Sequence, residues 1–288
     1  MKGLYVPLVT PFDHDGAVAL DALETLAHSV LDAGARGIVA LGTTGEPGSL
    51  TAAEQRSIVD VTEGVCRSRN APLVVGANSR AALDALAGRA HVTAALSLVP
   101  PFVRPGEAGV LAYFTELARN SPVPLVVYDI PHRTGQYLGI DALRRLAAVP
   151  GIVGLKYSPG GINADTVALL ADPPPDFAIL GGDDVFIGAL LALGAHGGIL
   201  ASAHLATAEF ARLVAAWRAG DVDTARALGN RLSALSAALF AEPNPTVTKA
   251  VLHAKGRIPS AAVRLPLVPA SDEATAAALA RLDAFALI

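Results

Sequence analysis

The 288-residue sequence predicts a parallel (β/α)8 (TIM) barrel with a C-terminal helical extension. Eight short apolar runs alternate with longer amphipathic stretches through residues 1–220, the strand-then-helix order that builds a parallel sheet. The first run, Leu4–Val9, leads into Thr10-Pro11-Phe12-Asp13. A doubly wound open sheet would carry a glycine-rich fingerprint there, so the closed barrel is preferred. After Gly220 the alternation stops, and residues 221–288 read as helices with no strand between them. Such an appendage is larger than one closing helix requires, and its surface covers the barrel or contacts another subunit.

The elements follow in order. Asp21–Ala33 is amphipathic and ends at Gly34, a residue suited to the left-handed position after a helix. Gly37–Leu41 is the second strand. Thr51–Arg67 opens with Thr51 and Glu54, the spacing of a capping box. Pro72–Gly76 is the third strand, and Arg80–Ala90 is a short stretch that fits a helix less clearly. Ala94–Val99, Val123–Tyr128 and Gly151–Lys156 are the next strands, separated by the helical stretches Pro105–Arg119 and Ile140–Ala148. Asn163–Ala171 precedes the strand Phe177–Gly181. Asp184–Leu193, closed by Gly194, precedes the last strand, Gly197–Ala201. Thr207–Ala219 completes the barrel at Gly220, and Asp221–Ala241, Pro245–Lys255 and Asp272–Phe285 form the extension.

Composition narrows the function. A net charge of -4 argues against a nucleic-acid or membrane-surface footprint. A small anionic substrate would then need a local cationic site. With one cysteine, Cys66, no intrachain disulfide can form, which fits a reducing compartment. Residues Met1–Pro7 lack the apolar core of a signal peptide, and Ala-rich segments are interrupted by Arg, Asp or Gly. These features place the protein in the cytoplasm. The seven histidines form no i, i+2 or i, i+4 ligand pair, and no P-loop is present, so neither a metal centre nor nucleotide phosphotransfer is expected. Most of the histidines read as surface or strand-end residues.

In such a barrel, chemistry sits at the carboxyl ends of the strands. Lys156 ends the sixth run. Burial there disfavours a charged ammonium, and a neutral amine can attack a carbonyl to form a Schiff base. The second run ends in Gly42-Thr43-Thr44-Gly45-Glu46, whose hydroxyls and free backbone N–H groups can hold a carboxylate. The fifth ends in Tyr128-Asp129-Ile130-Pro131-His132-Arg133-Thr134-Gly135. It offers a tyrosine able to pass protons and an arginine able to grip a carboxylate in bidentate fashion. Gly181-Gly182 after the seventh run allows close approach of a ligand, and one of Asp183 and Asp184 is expected to cap the next helix. Each feature alone also has a plain structural explanation. Lys156 could snorkel to solvent, the Gly/Thr segment could be an ordinary turn, Tyr128 could pack, and Arg133 could be solvated.

Together these strand ends resemble the dihydrodipicolinate synthase / N-acetylneuraminate lyase family of class I, pyruvate-dependent aldolases. The resemblance spans essentially the whole chain. It rests on Gly42 to Glu46, Tyr128 to Gly135, Gly154-Leu155-Lys156, Gly182-Asp183-Asp184, Glu242-Pro243-Asn244-Pro245 and Arg264-Leu265-Pro266-Leu267. It implies that Lys156 forms an imine with pyruvate, that Tyr128 shuttles the proton interconverting imine and enamine, and that Thr43 links Tyr128 to a relay. It further implies that Thr44 and nearby amides hold the pyruvate carboxylate, while Gly182 and the backbone of Ile199 close the pocket. The enamine then attacks an aldehyde, and the imine itself is the electron sink, so no metal or other cofactor is implied. The partners are small molecules, pyruvate and an aldehyde, and the chain is expected to form a homo-oligomer, a dimer or tetramer.

Arg133 after Tyr-Asp-Ile-Pro resembles the synthase branch, where that arginine binds the carboxylate of aspartate semialdehyde. One residue departs from that branch. Where a relay tyrosine is usual, the sequence has Phe102, within Val99-Pro100-Pro101-Phe102-Val103-Arg104-Pro105. The alternatives are a related aldolase of the 2-keto-3-deoxy sugar acid or 4-hydroxy-2-oxoglutarate type and, in another class, a catalytically silent barrel that binds a keto acid.

Overall fold

The computed structural model describes residues 1–285. Its strands are β1 (Gly3–Pro7), β2 (Gly37–Ala40), β3 (Leu73–Gly76), β4 (Val92–Leu98), β5 (Leu125–Asp129), β6 (Ile152–Tyr157), β7 (Ala178–Gly181) and β8 (Gly197–Ile199). Each pairs in parallel with the next, and β8 pairs with β1, closing the barrel. The sequence reading of the fold class holds. The helices are α1 (Leu20–Asp32), α2 (Ala52–Ser68), α3 (Arg80–Asp84), α4 (Gly106–Arg119), α5 (Pro131–Thr134), α6 (Ile140–Ala147), α7 (Ala164–Ala171), α8 (Ile187–Ala192), α9 (Thr207–Ala219), α10 (Val222–Leu239), α11 (Thr246–Ala254) and α12 (Asp272–Asp283). The stretch 80–90 yields only the short α3, and Pro131–Thr134 forms α5, a turn of helix that is not among the predicted helical stretches.

The strands bury both faces, which is why they read as continuous apolar runs rather than alternating ones. Val39, Val74, Leu96, Val126 and Leu180 fill the barrel interior. The opposite faces pack against the helical ring, and this outer core continues without a break into Leu232, Leu235, Val251 and Ala278 of the extension. The extension is therefore sealed to the barrel by apolar burial; α10 lies along α8, α9 and α12.

Local signals decide several boundaries. Thr51 accepts from the Glu54 N–H while the Glu54 side chain accepts from the Thr51 N–H, so α2 starts with the expected capping box. Gly220 adopts φ 77° and ends α9. Cys66 packs fully buried inside α2, and burial pushes its thiol up to about 12, which leaves it unreactive. Among the described residues, no helix is long and apolar enough to cross a membrane.

Most of the histidines are expected at the surface or at strand ends, and His204 is an exception. It is fully buried in the turn after β8. Its Nε2 accepts from the Val9 N–H at 3.1 Å and its Nδ1 donates to the Ala201 carbonyl at 2.7 Å, which fixes the neutral tautomer. Burial pushes its pKa down to about 4. The unfolded value is near 6.5, so the contribution of His204 is intact above that pH. It is lost as pH falls from about 6.5 to about 4, by about 3 kcal/mol. Denaturant titrations of wild type and His204→Gln should therefore diverge at pH 7.5 and converge toward pH 4. A constant gap across that range would remove His204 as a source of acid sensitivity.

Candidate active site

β5 and β6 are neighbours in the barrel, and their register sets Tyr128 directly beside Lys156. Both point into the mouth of the barrel and both are 6% exposed. The Lys156 ammonium lies 4.2 Å from the centroid of the Tyr128 ring. No carboxylate lies within ion-pair distance of Lys156 among the described residues. A buried amine that stacks on an aromatic ring and faces the cleft is placed for nucleophilic attack.

Gly182 makes that placement possible. Its N–H donates to the Tyr157 carbonyl at 2.9 Å, which brings the segment after β7 against β6. A Cβ at this position would stand 2.2 Å from Ser158 Oγ and 2.7 Å from Lys156 Cε. Any larger residue would force the lysine stem out of position.

The segment after β2 forms a short 3-10 turn, Thr43–Gly45, followed by Glu46 in the left-handed region (φ 54°). Thr44 is buried and its Oγ1 accepts from Asn244 Nδ2 at 3.0 Å. Thr43 is exposed at the rim. Beneath the turn, Glu46 pairs with Lys249 of α11 at 2.8 Å, with side-chain exposures of 2% and 0%. The other Glu46 oxygen accepts from the Arg264 N–H at 2.9 Å. Lys249 and Arg264 also both face the Phe12 ring, at 4.0 and 4.4 Å. The extension thus fixes the turn that carries the two threonines, which gives a physical reason for the Glu-Pro-Asn-Pro and Arg-Leu-Pro-Leu segments.

The opposite walls come from the segments after β5 and β7. Arg133 is exposed on α5, with His132 beside it. Neither Asp183 nor Asp184 caps a helix with its side chain, contrary to expectation. Stronger calls on their oxygens come from loops: Asp184 accepts from the Ser202 N–H at 2.6 Å and Asp183 from the Gly160 N–H at 2.7 Å. Burial pushes Asp184 up to about 6 and also raises Asp183. Burial, and then the charge of Asp183, push Asp129 up to about 7.

Lys156, Tyr128, Thr43, Thr44, Arg133, Gly182 and Ile199 all line one cavity of about 170 Å³, together with Pro7, Ala201 and Phe240. The structure thus brings together all seven residues expected to act in catalysis or substrate binding. It adds His132, Asp183, Asp184 and Asn244 to the lining. Asn244 was legible as part of a motif, but nothing in the sequence signals that it reaches Thr44, 200 residues away. Phe102 is not part of this lining. It is 91% exposed on the loop after β4, with φ 66°, beside Val103 at 76%. Within one chain, the position where a relay tyrosine is usual therefore lies outside the cleft. Two prolines precede it and carry the loop outward.

Residues 1–284 match the model of the dihydrodipicolinate synthetase family. The chain is 35% identical over 277 residues to 4-hydroxy-tetrahydrodipicolinate synthase 2 of Clostridium acetobutylicum, covering 94% of this chain and 96% of that one. It is 37% identical over 273 residues to 4-hydroxy-tetrahydrodipicolinate synthase of Syntrophus aciditrophicus, covering 92% of each. Among solved structures, it superposes on the chloride-inhibited dihydrodipicolinate synthase of Acinetobacter baumannii in complex with pyruvate. The TM-score there is 0.92 at 32% identity, covering 100% of this chain and 99% of that one. A monomeric dihydrodipicolinate synthase variant gives a TM-score of 0.93 at 27% identity, covering 100% and 98%.

Proposed function

We infer the reaction from a premise now in place: the chain belongs to the dihydrodipicolinate synthetase family. It is a class I lyase that condenses pyruvate with aspartate semialdehyde, the reaction of a 4-hydroxy-tetrahydrodipicolinate synthase in lysine biosynthesis. The observation that carries this reading is the stacking of Lys156 on Tyr128 at 4.2 Å in a cleft that also holds Arg133.

The roles follow from position. Lys156 Nζ attacks the keto carbon of pyruvate. The carbinolamine loses water to give an imine, with Tyr128 passing the proton to the departing hydroxyl. Transfer of a methyl proton to the Tyr128 oxygen then gives the enamine: the C–H pair becomes the new C=C bond and the C=N pair moves onto nitrogen. Thr44, fixed by Asn244, and the amides of its turn hold the pyruvate carboxylate. Thr43 at the rim connects Tyr128 toward solvent. Gly182 and the Ile199 backbone close the floor of the pocket. The enamine carbon attacks the aldehyde, and Arg133 holds the carboxylate of that second substrate. A cytoplasmic protein and a homodimer or homotetramer complete the proposal. The exposed apolar pair Phe102 and Val103 supports self-association.

Arg133 gives the direct test. Arg133→Ala should lower kcat/KM for aspartate semialdehyde by about 10²-fold, the worth of a desolvated guanidinium–carboxylate contact. Neutral aldehydes should lose little, and pyruvate should still be trapped on Lys156 by borohydride. Equal losses for carboxylated and neutral aldehydes would refute the role of Arg133.

A further inference from the structure

The amino ends of the strands, opposite the mouth that holds Lys156, carry a second cavity of about 480 Å³, larger than the cleft. It lies where β1 begins at Gly3 and where Arg36 and Ala71 lead into β2 and β3. Gly34, Ala35, Ala71 and Ala211 give it walls of backbone and methyl groups. Its polar character comes from longer side chains. Every charged side chain that lines it is a cation: Lys2, Arg36, Arg69 and Arg218. The chain as a whole has the opposite balance, a net charge of -4.

One of the four cations has a counter-ion: Arg69 pairs with Asp32 at 2.7 Å. Lys2, Arg36 and Arg218 belong to no ion pair among the described residues. Helix ends answer part of this charge. α1, α2 and α9 finish beside the cavity, at caps Ala33, Arg69 and Gly220. Each carboxyl end carries about half a negative charge, so together they offset about 1.5 of the three unpaired positive charges. The rest has no partner in the fold. Its field reaches the residues around it. Burial, and then the charge of Lys2, lower the His196 pKa, and the charge of Arg36 opposes the rise that burial causes at Tyr5.

We propose that this cavity binds a small oligophosphate, two or more linked phosphate groups, through Lys2, Arg36 and Arg218. The three cations come from different elements, ahead of β1, ahead of β2 and on α9. They converge from different directions, which suits a tetrahedral phosphate better than the two coplanar oxygens of a carboxylate. Each guanidinium can pair its N–H fork with two phosphate oxygens, and the lysine adds a point charge. Asn70, which follows α2 in the left-handed region (φ 49°), adds an amide at the edge. A monoanion such as pyruvate would answer only part of the surplus charge, whereas linked phosphates answer all of it. The cations are exposed, so the attraction weakens with salt. The site lies at the far end of the barrel from Lys156 and stands independently of the aldolase reading.

The test is titration calorimetry of the intact chain with inorganic tripolyphosphate in a phosphate-free buffer. At about 50 mM NaCl one site should appear with a Kd below about 1 mM, and it should weaken as salt is added. The double variant Arg36→Gln/Arg218→Gln removes two exposed charges. It should weaken binding at least about 10-fold while its melting temperature without ligand stays within about 2 °C of wild type. Arg133→Ala, which alters the cleft, should bind tripolyphosphate as wild type does. Citrate carries similar charge on carboxylates and should bind more weakly. Four results would each overturn the proposal. They are no heat of binding up to about 10 mM tripolyphosphate, as solvated cations serving only the helix ends would give; equal affinity in the double variant; tighter binding of citrate; and loss of binding in Arg133→Ala.

Discussion

Incubation with pyruvate and borohydride is expected to place a single reduced adduct on Lys156, and Lys156→Met is expected to gain none and to lose at least about 10⁴-fold in turnover. The magnitude follows from the loss of the covalent route, not of one contact. Without the imine there is no electron sink for the pyruvate methyl carbanion, and among the described residues no second amine lines the site. Lys249 and Lys255 are engaged with Glu46 and Asp283. Arg133 shares the cleft, but its planar delocalised guanidinium is no substitute for a nucleophilic amine. Methionine has nearly the volume of the lysine stem and keeps the packing against Tyr128 and Gly182, so the fold is preserved and the loss reports on chemistry. Peptide mapping checks the site of the adduct. An adduct on another residue, or turnover in Lys156→Met within tenfold of wild type, would sink the mechanism.

The barrel was legible because its strands are buried on both faces. Val, Ile and Leu dominate runs such as Leu73–Gly76 and Leu125–Asp129, and nothing else gives eight such runs at this spacing. Lys156 was legible for the converse reason: a charged residue ends a segment that is otherwise apolar. What the sequence hid depends on long-range geometry or on competition. Local rules favour Asp183 and Asp184 as helix caps, but the N–H groups of Gly160 and Ser202, brought in from neighbouring loops, take their oxygens instead. His204 lies in a segment whose pattern does not mark it as buried. It becomes so because Val9 and Ala201 close over it with one donor and one acceptor. Phe102 looks like core by composition, and only the direction of the loop after β4 shows it to be on the surface.

The partnership least visible in the sequence, Glu46 with Lys249, carries the second large expectation. The two charges are 203 residues apart in the chain, 2.8 Å apart in the fold, and almost wholly removed from water. Burial lowers the pKa of Lys249, and the nearby carboxylate opposes that shift. Removing one partner leaves the other charge buried and uncompensated, which costs about 3–5 kcal/mol. Lys249→Met is therefore expected to lower the melting temperature by roughly 10 °C. The double variant Lys249→Met/Glu46→Gln should recover a large part of the loss, because the amide still accepts from the Arg264 N–H without carrying a buried charge. The same lesion should reach the active site. Glu46 ends the turn bearing Thr43 and Thr44, and Lys249 belongs to the helix that follows Asn244. A loosened turn weakens the grip on the pyruvate carboxylate, so KM for pyruvate should rise in Lys249→Met more than kcat falls, and the double variant should restore it in part. Melting within the roughly 2 °C that a surface substitution produces would show that the pair contributes little. A melting loss without any change in KM would separate the stability of the extension from the positioning of the threonines.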